Sequence, residues 1–366
     1  MGLALSGGGF RATLFHLGSL KRLNELGLLP RVKTITGVSG GSIAAALLGL
    51  RWSSIAFDPN GAAANLPELI IEPLRFLCSK DIQLGPGILN IFAMLFGLPT
   101  SGLAPEYRRY LFGSATLGDL TDENAGPDVI LLASNLQTGG RVWFSCDGLR
   151  EERLGLLHFP EIPLATAVAA SSAFPPFLSP IVLETDLSRW SCSDKSDLFD
   201  ESHLRSRLVL TDGGMHDPVG LDPILDTQDR YDTILVSDAS TTRQLWRKPS
   251  SFWPRQTGRS TIMQTVSHGA SFRKALMSGG GFSQSIPASK AAAGKSPAIA
   301  WWNIADRIAD YGIESPLATD TDSTRELGAM RSVLSPFSRE EQGRLIDWGY
   351  ALCDAATRKL AATQIH

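Results

Sequence analysis

The chain has 366 residues, of which 43% are hydrophobic and 19% are charged. This apolar content is enough for a large buried core and excludes a disordered or fibrous protein. The net charge of −3 excludes a polycation that holds nucleic-acid polymers non-specifically, and four dispersed cysteines without a C-x-x-C pair indicate free thiols and no zinc site.

The first fifty residues alternate between strand and helix patterns, with glycine-rich turns between them. Residues 3–5 predict a short apolar strand, and residues 10–26 a helix with leucines along one side. Residues 32–36 predict a second strand, and residues 42–50 a small, apolar, fully buried helix. Strands that alternate with helices predict parallel pairing with right-handed crossovers.

The same N-terminal stretch lacks the cationic start, long apolar run and small-residue cleavage site of a secretory signal, so a cytoplasmic protein is expected. Farther along, residues 88–96 form an apolar run that is far shorter than the ~20 residues needed to span a bilayer. This run predicts either an ordinary buried helix or an interfacial or lid helix.

Two apolar segments, 129–133 and 142–145, flank a Thr-Gly-Gly turn and predict a β-hairpin. Two more strands are predicted at 208–210 and 233–236. The first ends near Asp212 and the second near Asp238. Both strands therefore deliver an acidic residue at or near their carboxyl ends.

The remaining elements are a polar segment and a terminal helix. Residues 184–206 are rich in Asp and Ser and predict a surface insertion. Ser338 and Glu341 have the spacing of a capping box, and an apolar stripe follows them. This pattern predicts a helix that docks its apolar face on the rest of the protein.

The segment Gly37-Val38-Ser39-Gly40-Gly41 is a G-x-S-x-G motif between a predicted strand and a predicted helix. In a nucleophile elbow, the serine occupies a strained turn, and the glycines avoid clashes with the neighbouring strand and helix. Ser39 is therefore a candidate nucleophile.

The triplet Gly7-Gly8-Gly9 follows the first strand and precedes the first helix. Consecutive glycines allow backbone N–H groups to converge on an anion, and the positive end of the helix adds to this field. The spacing of Gly7, Gly9 and Ala12 also fits a dinucleotide fingerprint, but no acidic residue ends the second predicted strand. An oxyanion hole and a dinucleotide site both remain possible interpretations of the triplet.

A nucleophilic serine needs a base. Asp212, in Asp212-Gly213-Gly214, could act directly if burial raised its basicity. Alternatively, Asp212 could belong to a triad with His268, His216 or His16.

Four blocks in one order resemble the patatin-like phospholipases, and the resemblance extends over about residues 1–240. Among them, residues 168–177 are similar to that family's helix-ending Ala-Ser-x-Ala-x-Pro segment. The blocks, in chain order, are Gly7 to Arg11, Gly37 to Gly41, Val168 to Phe177 and Asp212 to Gly214. The chain departs from the family pattern at Ser6 and Ala12, where the family often has Asp and Gly.

The resemblance implies a three-layer α/β/α sandwich with a mostly parallel central sheet and a helical C-terminal extension. Residues 1–240 would form the catalytic core, and the basic, aromatic segment and helices of 241–366 would pack on the same domain. It also implies a Ser39–Asp212 dyad that needs no metal or other cofactor.

By the same resemblance, the Gly7, Gly8 and Gly9 amides form the oxyanion hole, and Ser6 changes how this loop is braced. Arg11 would contact an anionic phosphate of the substrate or brace the loop, although an ordinary surface arginine is an equal alternative. The expected function is a bacterial serine lipid acyl hydrolase that cleaves carboxylic esters of phospholipids or lysophospholipids. The alternatives are a soluble carboxylesterase with a histidine triad and a non-enzymatic, Rossmann-like protein that binds a nucleotide or another anion.

Residues 239–305 contain nine Lys and Arg side chains and no Asp or Glu, and Trp246, Phe252, Trp253, Phe272, Trp301 and Trp302 lie among them. This composition predicts peripheral contact with an anionic membrane surface, where cations and interfacial aromatics both contribute. A solvated basic face is the alternative. Some bacterial patatin-like enzymes respond to nucleotides, so the resemblance also implies a possible small anionic or nucleotide activator.

Overall fold

A computed structural model describes residues 1–83, 102–121, 125–175, 178–227, 230–240, 253–277 and 297–364. The run at 88–96 lies outside the described residues, as do 241–252 and 278–296 of the basic segment.

The strands of the described residues belong to one mixed sheet. In chain order they are Gly2–Leu5 (β1), Thr34–Val38 (β2), Asp128–Asn135 (β3), Arg141–Ser145 (β4), Gly148–Glu151 (β5), Gly155–His158 (β6), Ile181–Glu184 (β7), Trp190–Ser191 (β8), Arg207–Asp212 (β9), Thr233–Asp238 (β10) and Ala298–Asn303 (β11).

The α-helices flank this sheet. They are Gly9–Glu25 (α1), Gly40–Arg51 (α2), Glu72–Leu77 (α3), Ala104–Tyr107 (α4), Leu164–Ser171 (α5), Ser202–Ser206 (α6), Asp222–Asp226 (α7), Trp253–Met277 (α8), Asp322–Leu327 (α9) and Arg339–Gln364 (α10).

The sheet is parallel on one side and antiparallel on the other. Strands β11, β10, β1, β2 and β3 are parallel neighbours in that order, and β3, β4, β5, β6 and β8 continue the sheet in antiparallel pairs. Strand β9 pairs antiparallel with the end of β3 and with β7. The parallel pairing and the hairpin of β3 and β4 confirm the corresponding predictions.

The central sheet separates two apolar clusters, because alternate residues of a strand face opposite sides. Leu3 and Leu5 of β1 pack with the cluster that contains residues of α1, α2 and α10. Ala4 packs with the cluster that contains residues of α7 and α8. Helices on both faces make the predicted α/β/α arrangement.

The C-terminal helix packs closely against α1. A Cβ atom added at Gly349 would lie 2.0 Å from the Phe15 carbonyl oxygen, and one added at Gly18 would lie 1.9 Å from the Ile346 carbonyl oxygen. Ser338 caps the helix by accepting from the Glu341 amide (3.2 Å). The predicted capping box and docked terminal helix are thus both present.

Two expectations differ from the structure. The second strand begins at Thr34 and continues to Val38, because Gly37 pairs with Leu5 of β1 and Val32 belongs to the preceding turn. The segment 184–206 is not purely a surface insertion, since β8 extends the sheet and Trp190 is buried. In the described part of the chain, no helix is long and apolar enough to cross a membrane.

Candidate active site

Ser39 lies in the turn between β2 and α2 with φ 51° and ψ −116°. A positive φ is unfavourable for a non-glycine residue and persists only where the surroundings enforce it. The surroundings here are tight, because a Cβ atom at Gly40 would lie 2.1 Å from the Gly9 carbonyl oxygen and one at Gly41 would lie 2.1 Å from that of Leu5. The predicted strand-turn-helix geometry of an elbow is therefore present at this serine.

The backbone of Ser39 is held on both sides. Its N–H donates to Ser171 Oγ (3.0 Å), and its carbonyl oxygen accepts from Ser42 Oγ (2.6 Å) and from the Ser42 amide (3.0 Å). These bonds fix the strained turn to the end of α5 and to the first turn of α2.

The glycine loop lies beside this elbow. Leu5 of β1 is the register partner of Gly37, and a Cβ atom at Gly7 would be in van der Waals contact with Ser39 Cβ at 3.4 Å. Gly8 and Gly9 have φ values of 141° and 61°, which glycine adopts at low cost.

The three glycine amides are not equivalent. The Gly7 N–H donates to the Pro218 carbonyl oxygen (2.9 Å), so it cannot also serve an oxyanion in this arrangement. The Gly8 and Gly9 N–H groups make no hydrogen bond within the described part of the chain, and Gly9 is the first residue of α1. The predicted use of the Gly7 amide as a donor is therefore wrong, because this amide already donates to the Pro218 carbonyl oxygen. Gly8 and Gly9 remain candidate donors.

Asp212 ends β9 and is brought to the elbow by β3. In the sheet register, Val38 lies beside Leu132 of β3, and the next β3 residue, Ala133, lies beside Asp212. The carboxyl is 2% exposed, and its Oδ1 accepts from the Gly214 amide (2.7 Å).

The protonation of Asp212 is strongly affected by its surroundings. Burial raises the pKa of the carboxyl from 3.8 to about 7, against the smaller lowering effects of the Gly214 amide and the Ser39 hydroxyl. The buried Oδ2 atom has no hydrogen bond of ordinary geometry to the protein, although the Ser39 hydroxyl is near enough to affect the pKa of the carboxyl. A carboxyl with this pKa can exchange a proton near neutral pH.

Ser39 and Asp212 line one cavity of about 170 Å³. Its lining also includes the three glycines of the loop, hydroxyl side chains and several apolar side chains. The residues are Gly7, Gly8, Gly9, Ser39, Gln83, Ser172, Phe174, Pro175, Leu178, Asp212, Gly214, Pro218, Ser240, Ile262, Thr265, Ser332, Val333 and Leu334. The tertiary structure thus places the nucleophile candidate, the base candidate and the glycine loop around one space.

The histidines considered for a triad lie elsewhere. His16 is buried between Ser237 Oγ (2.8 Å) and the Ser6 carbonyl oxygen (2.9 Å), and burial lowers its pKa to about 4. His268 is exposed and stacks on Phe272 (ring centroids 4.9 Å apart). His216 lies close to Arg141, which contributes to lowering its pKa after the larger effect of burial. None of these three rings lines the described cavity.

Arg11 is a buried brace, which was one of its predicted alternatives, whereas the predicted anion contact and the predicted surface arginine are both wrong. The side chain is fully buried and donates to the carbonyl oxygens of Gly328 (3.1 Å), Met330 (2.9 Å) and Ala239 (2.9 Å). Burial lowers the pKa of the guanidinium to about 10. Arg11 therefore ties the start of α1 to the end of β10 and to the loop after α9.

Ser6 also braces the glycine loop. Its Oγ accepts from the Ala239 amide (2.7 Å) and lies 3.3 Å from the Gly7 carbonyl oxygen. The departure at Ser6 therefore leaves a polar side chain bridging the first strand and the end of β10.

A sequence model of patatin-like phospholipases matches residues 3–225 of this chain. The chain belongs to that family. Among solved structures, human GIVD cytosolic phospholipase A2 has a TM-score of 0.52 at 16% identity, over 98% of this chain and 60% of the human chain. VipD from Legionella pneumophila has a TM-score of 0.37 at 15% identity, over 99% of this chain and 66% of VipD.

The comparison with the human enzyme shows a shared fold, and this chain spans about three-fifths of that enzyme's length. A comparison with curated protein sequences finds no match. The family match agrees with the predicted patatin-like α/β class.

One part of this patatin-like site was not recognised from the sequence. The end of α5 and the turn after it bond to the backbones of both Ser39 and Asp212. Ser171 Oγ accepts from the Ser39 amide (3.0 Å), and the Ala173 carbonyl oxygen accepts from the Asp212 amide (3.1 Å). Ser172, between them, lines the cavity. The Ala-Ser-Ser-Ala sequence marked the segment, but only the fold shows that it joins the elbow to β9.

The basic segment is only partly as predicted. Phe272, Trp301 and Trp302 are buried in the core, so the expectation that they face lipid is wrong. Arg273 is paired with Asp306 through two bonds of 2.7 Å. The reason is that β11 is a strand of the sheet and the end of α8 packs on the sheet.

No metal centre is indicated by the described residues, where no group of three or more His, Cys, Asp or Glu side chains could hold an ion. Cys78 and Cys353 are buried, and all four cysteines are free thiols.

Proposed function

We propose that this chain hydrolyses carboxylic ester bonds of phospholipids or lysophospholipids with Ser39 as nucleophile and Asp212 as base. The observation that carries the proposal is one cavity lined both by a serine in a strained elbow and by a buried carboxyl whose pKa is raised to about 7. Membership of the patatin-like phospholipase family supports a lipid ester as the substrate class.

In the first half-reaction, Ser39 Oγ attacks the ester carbonyl carbon and its proton passes to Asp212. The pKa of about 7 suits this step, because a base with a pKa near the working pH combines an ionised form with real proton affinity. The protonated Asp212 then protonates the departing alkoxide, which leaves an acyl group on Ser39.

The negative charge that develops on the carbonyl oxygen needs fixed donors. The Gly8 and Gly9 amides are suitable because they make no hydrogen bond within the described residues and lie at the positive end of α1. The rigidity of this loop comes from Arg11 and from the Phe10 amide, which donates to the Val333 carbonyl oxygen (3.0 Å).

The cavity wall favours an acyl chain as the bound group. Phe174, Leu178, Ile262, Val333 and Leu334 line it, so apolar side chains surround the space next to Ser39. Burying a hydrocarbon chain against apolar side chains removes apolar surface from water and is therefore favourable.

Covalent labelling tests the nucleophile. A fluorophosphonate probe should label the wild-type chain on Ser39, while Ser39→Ala should remain unlabelled. Ser332→Ala is a matched control, because Ser332 lines the same cavity outside the elbow and its removal should leave labelling unchanged. Labelling that survives Ser39→Ala would overturn the assignment.

Product analysis tests the reaction and its base. Incubation with mixed phospholipids and lysophospholipids, followed by mass spectrometry, should show free fatty acids with wild type and none with Ser39→Ala. Asp212→Asn should abolish release, whereas His268→Ala should not. The opposite pattern would favour a histidine triad, and release only from short water-soluble esters would favour a carboxylesterase.

Peripheral membrane contact remains part of the proposal, through α8. Ile262 and Thr265 of this helix line the cavity, and the intervening Met263 is 57% exposed. Residues 239–305 carry no acidic side chain, and Arg255, Arg259, Arg273 and Lys274 belong to α8, so this helix has a cationic composition. An exposed apolar residue on a helix without acidic side chains is suited to an anionic lipid surface.

Vesicle co-sedimentation at two salt concentrations tests this contact. Binding should be stronger to anionic than to neutral vesicles and should weaken with salt, and Met263→Asp should reduce it. Leu317→Asp is the control, because Leu317 is similarly exposed (54%) but does not line the cavity. Equal, salt-insensitive binding to both vesicle types would refute the contact. The expected nucleotide or other anionic activator and the cytoplasmic location stay predictions.

A further inference from the structure

Three buried polar atoms without a hydrogen-bond partner of ordinary geometry lie near the candidate base. They are Asp212 Oδ2, Ser172 Oγ and the Tyr107 hydroxyl, on side chains that belong to residues 2%, 1% and 0% exposed. A buried polar group without a partner is unfavourable and therefore rare, so three such groups near one another call for a physical explanation.

These three groups are electrostatic neighbours. Ser172 and Asp212 line the same cavity as Ser39. Burial raises the pKa of Tyr107 strongly, the nearby Ser172 hydroxyl partly opposes this rise, and the Asp212 charge adds to it. Tyr107 does not itself line the cavity, and its helix α4 packs against α5, which ends at Ser171. Tyr107 is therefore a neighbour of Ser172 and not of the cavity space.

The backbone around Ser172 gives this group a fixed position relative to both reactive candidates. Ser171 holds the Ser39 amide and Ala173 holds the Asp212 amide, as described above. The Ser172 carbonyl oxygen accepts from the Phe174 amide (2.9 Å). A hydroxyl on this turn is therefore held between the nucleophile and the base.

We infer that Ser172 positions the water molecule that hydrolyses the acyl-enzyme, that Tyr107 orients the Ser172 hydroxyl, and that Asp212 Oδ2 accepts the proton of this water. The inference rests on the proposed function and adds the residues of its second half-reaction. A buried water molecule needs two to four polar partners. In this cavity Asp212 Oδ2 can accept from it, and the Ser172 hydroxyl can donate to it or accept from it.

The water oxygen bonds to the acyl carbonyl carbon as one water proton passes to Asp212 Oδ2. The tetrahedral intermediate then breaks its bond to Ser39 Oγ, and Asp212 returns the proton to that oxygen. A fatty acid leaves, and both residues recover their starting states.

A water-positioning role predicts that mutation slows deacylation but not acylation. A purely structural role predicts that both half-reactions slow together. With a p-nitrophenyl ester, Ser172→Ala and Tyr107→Phe should leave the burst rate and kcat/KM nearly unchanged, because acylation needs no water. Deacylation and kcat should fall about tenfold, the effect of losing one productive hydrogen bond worth about 1.4 kcal/mol. The acyl group on Ser39 should accumulate in intact-mass spectra.

Tyr231→Phe is the matched control. The Tyr231 hydroxyl is also buried but donates to Thr34 Oγ1 (2.8 Å) at the opposite end of β2. Its removal should lower the melting temperature and leave both kinetic phases unchanged. Tyr107→Phe should leave the melting temperature nearly unchanged and slow deacylation alone, because the Tyr107 hydroxyl has no protein hydrogen bond of ordinary geometry to lose.

The outcomes distinguish this inference from the proposed function. A wild-type burst with unchanged deacylation in both variants, or with acylation slowed as much as deacylation, would overturn the water-positioning role alone. A wild type that forms no acyl group on Ser39 would overturn both. If Ser172→Ala does not fold, Tyr107→Phe decides the question, since it deletes one oxygen atom from an otherwise unchanged ring.

Discussion

Replacing Asp212 with asparagine should abolish ester hydrolysis and, at alkaline pH, make the protein more stable. The side chain is 2% exposed, and its Oδ2 atom lacks an ordinary hydrogen bond, so ionisation places a poorly compensated charge in the interior. Asparagine has nearly the same shape, keeps the oxygen that accepts from the Gly214 amide and carries no charge.

The size of the effect follows from the pKa. Burial raises the pKa of Asp212 from 3.8 in the unfolded chain to about 7 in the folded protein. At about 1.4 kcal/mol per pH unit, this difference corresponds to about 4 kcal/mol. The folded state holds its proton more tightly, so the contribution of Asp212 to stability is complete below pH 3.8 and is lost as the pH rises through about 7.

Urea unfolding of the wild type and Asp212→Asn at pH 5 and pH 8 measures this effect. The asparagine variant should gain several kcal/mol relative to wild type at pH 8, approaching about 4 kcal/mol, and much less at pH 5. A gain that does not depend on pH, or a loss at pH 8, would refute the reasoning.

Asp217→Asn is the matched control for this experiment. Burial also raises the pKa of Asp217, but its carboxyl oxygens accept from the amides of Val219 (3.0 Å), Gly220 (2.8 Å) and Asp222 (2.7 Å). An asparagine there would point N–H groups at backbone N–H groups. Asp217→Asn should therefore destabilise the protein at both pH values.

Three more expectations concern the pH profile and the packing of the terminal helix. The kcat/KM for ester hydrolysis should rise with pH through about 7 and then level off as Asp212 loses its proton, and a profile flat from pH 5 to 9 would contradict its role as base. Gly349→Ala should destabilise the protein by about 3 kcal/mol in thermal or urea unfolding, because its Cβ would lie 2.0 Å from a carbonyl oxygen of α1. Gly343→Ala is the control: it has open space around it and should stabilise α10 by up to about 1 kcal/mol. Arg22→Ala should lower the free energy of unfolding by about 2 kcal/mol without changing fluorophosphonate labelling, because it removes a 2.6 Å partner of Asp354, which is 1% exposed.

Local sequence patterns predicted most of the secondary structure near the site. The glycines around Ser39 indicated an elbow because only glycine tolerates the close approach of neighbouring backbone. The serine and glutamate at the start of α10 indicated a capped helix for an equally local reason, a side chain that bonds to an amide three residues away.

The functional assignments of individual groups were less predictable. Gly7 has the same sequence surroundings as Gly8, yet its amide is occupied by Pro218, which lies far along the chain. Arg11 follows the glycine triplet, where a phosphate contact is plausible, but its guanidinium is buried against three carbonyl oxygens. Long-range contacts decided both cases.

The aromatic residues of the basic segment illustrate the same limit. Composition favoured a membrane surface for Trp301 and Trp302, but β11 pairs with β10 and buries both rings. A tryptophan at a lipid interface and one in a core have the same chemistry, so composition alone cannot distinguish them.

From the chain alone, the alternation of strands and helices in the first fifty residues, the serine turn and the family resemblance could be predicted, because each depends on short blocks of neighbouring residues. The folded sheet decided that Asp212 and Ser39 share a cavity, through the register of β2, β3 and β9. The fold also determines the pKa of Asp212, which burial raises to about 7. Desolvation depends on the packed interior, so it cannot be predicted from the residues next to Asp212 in the sequence.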